Sequence, residues 1–155
     1  MGIAHREETP EIREEAREFL RNHKKMVLSV LDIEKHPNAS LVLYTSDDFT
    51  IYFGTLRSFG KYSALTADPH IALAIVQEGI DPLQVLDMQG VVEEITEEET
   101  RVTLNWFVLQ NTAKYYVKDA EDFVMFKIKP THIRWLDATS GDLQICDLTP
   151  KSNLE

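Results

Sequence analysis

The segment Thr55-Leu56-Arg57-Ser58-Phe59-Gly60-Lys61 has the residue types that could do chemistry in this sequence. Two hydroxyls, two cations and a glycine follow the strand-like Ile51-Tyr52-Phe53 and precede a short helical pattern, Tyr62 to Ala67. Hydroxyls, loop amides and an ammonium converging at a helix start can hold an anion, because the helix dipole adds to the charge, and phosphate is the usual guest. The same residues have a plainer use. Thr55 and Ser58 can cap the helix while Lys61 stays in solvent. Spacing leaves both readings open.

Other constellations are weaker. His5, His23, His36, His70 and His132 fall at termini, turns and strand starts, and no two stand four apart as one helix face would need to chelate a metal. No metal site is expected. Glu93, Glu94 and Glu97 to Glu99 read as a solvated strand end and helix start rather than an acid/base pair. The one cysteine, Cys146, cannot form an internal disulfide and is expected to pack as a small apolar residue. No catalytic acid, base or nucleophile stands out.

The elements that must position these residues follow from periodicity. Thr9-Pro10 starts a helix, and Ile12, Ala16, Phe19 and Leu20 recur at helical spacing to about Lys24. Short strands follow at Met26 to Ile33, Ser40 to Thr45 and Thr50 to Gly54, parted by the turn formers at 34–38 and Ser46-Asp47-Asp48. Asp68-Pro69 ends the short helix, and Ile71 to Gln77 is a buried strand. Leu83 to Ile95 is a long strand in which Gly90 marks a bulge or a close approach. Thr96 and three glutamates open a helix with Val102, Trp106 and Leu109 at core spacing. Phe123 to Lys129, His132 to Leu136 and Leu143 to Leu148 complete the strands. The expectation is an α+β, mainly β protein: an antiparallel barrel of six to seven strands with two to three flanking helices, the barrel running from about 25 to 148 after the first helix.

Composition bounds the rest. One domain is expected of 155 residues that are 43% hydrophobic and 27% charged. Twenty-six acids against 16 Lys+Arg give a net charge of -10, which opposes binding to a nucleic-acid backbone. The sequence has no membrane-spanning run or signal-like stretch, so a cytoplasmic protein is expected.

In the order His36 to Tyr44, Thr50 to Thr55, Ser58 and Lys61, Leu65 and Asp68-Pro69-His70-Ile71-Ala72-Leu73, then Gln84-Val85 with Gly90 and Phe126 to Pro130, the sequence resembles the flavin-binding split barrels related to pyridoxamine 5'-phosphate oxidase. The resemblance covers about residues 25 to 137. It implies a homodimer of split barrels with FMN in two clefts between the subunits. It also implies contacts to the flavin from Ser40, Leu41, Val42 and Leu43, to its phosphate from Thr55, Ser58 and Lys61, and a further contact from Gln84; Trp135 is a candidate flavin contact from the partner subunit's side, with a core or dimer-interface role the favoured alternative. The oxidases carry cations at the positions of Ser40, Thr45 and Gly60, so three of four phosphate-gripping cations are absent, with Arg57 as a replacement. Vitamin B6 oxidation is not expected. The resemblance implies an FMN-dependent oxidoreductase, or else a binding protein that holds flavin, haem or a deazaflavin in the same cleft, with His132 as a candidate haem ligand.

Overall fold

The computed structural model describes residues 1–109 and 121–151. In chain order the elements are β1 (Ile3–Arg6), α1 (Pro10–Asn22), β2 (Lys25–Leu31), β3 (Pro37–Leu43), β4 (Thr45–Asp47), β5 (Thr50–Leu56), α2 (Gly60–Ala67), β6 (His70–Val76), β7 (Gln84–Glu94), α3 (Glu97–Leu109), β8 (Phe123–Asp137) and β9 (Leu143–Leu148). Local signals explain most of these boundaries. The Thr9 side chain accepts the Ile12 amide at 3.1 Å with Pro10 in the first turn, and Thr96 accepts the Glu99 amide at 3.2 Å. Such a cap contributes about 1 kcal/mol. Burying Phe19 and Leu20 contributes roughly 1.5–3 kcal/mol each, so α1 is held by its apolar face more than by its cap.

All nine strands join one sheet in the order β1-β9-β8-β7-β6-β2-β3, with β5 paired to β8 and β4 to β5. Alternation puts Met26, Leu28 and Val30, then Ile71, Leu73 and Ile75, then Ile51 and Phe53 on the inner face. The sheet curls until β3 and β5 touch, but they form no ladder, so a seam runs between them. Helix α1 packs Ala16, Phe19 and Leu20 into the core, where the Tyr44 hydroxyl donates to Leu20 O at 2.7 Å and the Phe19 ring lies 4.9 Å from Trp135.

Several expectations need correction. Among the described residues the strands number nine rather than six or seven, the sheet does not close, and it is mixed, because β1 pairs parallel with β9. Four residues without alternation give no local signal for such a strand. The two strands expected either side of Pro130 are one, β8. Pro130 pairs with Gly90 and His132 with Gln89, so the proline falls at a bulge with Thr131 as the extra residue, where a missing amide costs little. The turn expected at 46–48 falls later: Ser46 and Asp47 belong to β4, and Asp48 turns with φ of +54°. Val102, expected in the core, is 50% exposed, while Thr103 is buried with its hydroxyl donating to Glu99 O at 2.7 Å. The side chains of Trp106 and Leu109 lie outside the described residues.

Candidate functional site

The polar residues Thr55, Arg57, Ser58 and Lys61 run from the end of β5 into the start of α2. Strand β5 carries Thr55 to its C-terminal end, three residues (Arg57, Ser58 and Phe59) lead into α2, and α2 packs against β2 and β5. Thr55 is on the inner face, 6% exposed, and its hydroxyl has no hydrogen-bond partner among the described residues. Lys61, in the first turn of α2, is half-buried and makes no hydrogen bond or ion pair among the described residues. Burial pushes its ammonium below the ordinary lysine value of 10.5. The other two polar residues of the loop are engaged. Ser58 donates its hydroxyl to Asp122 Oδ2 at 2.6 Å and its amide to the same oxygen at 3.3 Å, and Arg57 reaches Glu94 at 3.4 Å with its guanidinium 5.9 Å from the Tyr62 ring. The Ser58 hydroxyl foremost, with its amide and the Arg57 charge, holds the Asp122 carboxyl below its ordinary value.

The capping use of the hydroxyls is not what the fold adopts. The residue at the start of α2 is Phe59, its N-cap has no side-chain hydrogen bond, and its ring is 55% exposed. Ser40, Leu41, Val42 and Leu43 lie on β3, which is an edge of the sheet and one lip of the seam. Val42 faces the core, whereas Ser40 and Leu41 are exposed.

Gln84 and Trp135 stand elsewhere. Gln84 starts β7, and Glu94, the residue that holds Arg57, ends it. An eleven-residue strand spans roughly 33 Å at about 3.3 Å per residue, so the two groups cannot share a small ligand within one chain. Trp135 is 3% exposed in the core, and Gln84 donates to Asp137 at 3.3 Å. Both border an open cleft of about 420 Å³ beneath α1, with Glu15, Glu18, His23 and Asp137 on its walls. Three carboxylates make that cleft a poor home for a phosphate or a haem propionate. His132, half-buried on β8, lies 3.5 Å from Asp147. Sequence reasoning missed Asp122 and Glu94 as partners of the loop. An acid just ahead of a strand reads as an ordinary turn residue, and nothing local pairs it with a serine 64 positions away.

Among the described residues, one curled, mixed, nine-stranded sheet that does not close, with three helices, makes a mainly β fold. The family model described as pyridoxamine 5'-phosphate oxidase matches residues 12–137, and the chain belongs to that family. No curated protein sequence matches it. Among solved structures, a haem-binding protein from Mycobacterium smegmatis is 24% identical with a TM-score of 0.76, covering 92% of this chain and 60% of that one. The haem storage protein of Vibrio cholerae is 14% identical with a TM-score of 0.66, covering 77% and 89%. A FAD-binding protein from Mesorhizobium loti is 17% identical with a TM-score of 0.65, covering 77% and 90%. At these identities the likeness is one of fold. Among the described residues no helix is long and apolar enough to cross a membrane, and no group of three His, Cys, Asp or Glu could hold a metal.

Proposed function

We propose that this chain binds a flavin of the FMN kind at the seam between β3 and β5, with the ligand's anionic tail in the loop from Thr55 to Lys61, and that it works as a small FMN-dependent oxidoreductase. The reading rests on one observation: at the end of β5 a buried Thr55 hydroxyl, and in the first turn of α2 a half-buried Lys61, have no hydrogen-bond or acidic partner among the described residues, in a chain of net charge -10. Where acids outnumber bases this strongly, a half-buried lysine left unpaired is poised for an anion from outside. Lys61 would supply the charge, Thr55 a hydroxyl donor, and the β3 backbone at Leu41 to Leu43 the lip beside the flavin. When bound, the flavin supplies the redox step. The chain's own residues bind and orient it.

The second part of the proposal is a homodimer. On the outward face, Leu41, Val27 and Ala74 stand in one cross-strand row, with Leu41 66% and Val27 45% exposed, and Val76 nearby on β6 is 50% exposed. A second copy would cover this apolar patch and wall the seam from the other side.

The test is a fluorescence titration of apo-protein with FMN. The wild type should bind at or below the order of tens of micromolar. Lys61→Ala should bind about thirtyfold more weakly, near 2 kcal/mol, while the exposed Lys24→Ala should be unchanged. Affinity should fall as pH rises, beginning below the ordinary lysine range, because the ammonium that pairs with the anion is already easier to deprotonate in the free protein. Absence of FMN binding, or equal behaviour of the two variants, would overturn the reading. The names of the structural neighbours make haem the competing ligand class, and a Soret band on adding haemin without any flavin response would move the assignment there.

A further inference from the structure

We propose that Asp122 is a specificity-determining residue of the seam: its carboxylate occupies the hydroxyl-and-amide seat that a ligand phosphate would take, and so lowers the loop's preference for a phosphorylated ligand over its dephosphorylated counterpart. This inference rests on the loop being the anion end of the proposed flavin site.

The seat is built into the fold. Leu56 pairs with Phe123 at the end of the β5–β8 ladder, and the Arg57 amide donates to Asp122 O at 2.8 Å, carrying the pairing one residue further. Asp122 is therefore fixed by backbone beside the loop, and its Oδ2 takes both the hydroxyl and the amide of Ser58. A carboxylate oxygen that collects a hydroxyl and a loop amide imitates a bound phosphate oxygen. Glu94 holds Arg57 in the same manner at 3.4 Å. Of the four side chains in the loop that could grip an anion, two are already matched to acids, and only Thr55 and Lys61 lack partners among the described residues. A phosphate entering here must either displace Asp122 from Ser58 or sit against Lys61 and Thr55 alone with a like charge close by. Both routes penalise the dianion and leave an uncharged ribityl tail unaffected.

Asp122→Asn removes the charge and keeps an oxygen that can accept from Ser58. FMN and riboflavin are titrated against wild type and D122N, and melting temperatures are recorded with and without inorganic phosphate. FMN should bind D122N about tenfold more tightly than wild type while riboflavin stays within about twofold, and phosphate should raise the melting temperature of D122N more than that of wild type. Asp122→Ala should show the same FMN gain if charge is the cause. The proposal is overturned if FMN and riboflavin shift together, if FMN binds D122N more weakly, or if phosphate acts equally on both proteins. A phosphate effect confined to D122N with no flavin bound by either protein would uphold the Asp122 seat and sink the flavin reading.

Discussion

Thr55 carries a hydroxyl into the core, where it has no hydrogen-bond partner among the described residues. A buried polar group left unpaired costs about 1–3 kcal/mol, and removing the group altogether relieves that cost. Thr55→Val, which keeps the shape, should therefore stabilise the unliganded protein by about 1 kcal/mol, seen as a melting temperature higher by roughly 2–4 °C. The same substitution should weaken FMN binding. A lower melting temperature would mean that the hydroxyl already has a partner in the free protein. Lys61 shows the same tension between folding and binding at the neighbouring residue type. Its folded pKa lies below its unfolded one, so the unfolded chain holds the proton more tightly and stability rises with pH between the two values. A bound anion would reverse that, so the site is most costly to the fold when it is unfilled.

At the scale of elements, the crossing of β7 and β8 decides where the site lies. The first half of β8 pairs with β5, which feeds the loop, and the second half pairs with β9, while β7 runs along both. One strand can serve two partners only by bending, and the bend falls at the bulge opposite Gly90. A Cβ on Gly90 would lie 2.6 Å from Lys129 O and 2.9 Å from Ile128 Cγ2. The first of these is backbone already held in the ladder and has nowhere to go. Gly90→Ala should cost about 2 kcal/mol, lowering the melting temperature by roughly 4–8 °C in a thermal scan. An unchanged melting curve would show that the bulge relaxes freely. Gly90 was legible as a glycine inside a strand pattern, but Pro130 was misleading. In isolation a proline reads as a strand break, and only its position opposite Gly90 makes it tolerable.

For the whole molecule, the outward face bears on assembly. Val27 sits between Leu41 and Ala74 across the strands, and a side chain 45% exposed can become charged without disturbing the core. In sedimentation at micromolar concentration the wild type should run as a dimer, and Val27→Glu should run as a monomer with an unchanged melting profile at low concentration. A monomeric wild type would contradict the dimer, and a dimeric Val27→Glu would place its interface on another face.

Features that depend on neighbours within a turn or along one strand could be read from the residues. Helix α1 with its Thr9 cap, the start of α3 at Thr96, the alternating face of β2, the apolar β6 and the glycine of the bulge were all readable, because cap geometry and side-chain period are local. So was the loop with its hydroxyls and lysine, together with the family. Tertiary structure alone decided the rest. The polar strand β1 exists because residues 143–146 offer it hydrogen bonds from the other end of the chain. Arg57 and Ser58 look alike in the sequence as anion ligands, yet folding brings Glu94 and Asp122 to them from 37 and 64 residues away. Among the described residues Thr55 and Lys61 receive no such partner. Which polar group of a loop is left unpaired depends on long-range contacts, and no local pattern records them.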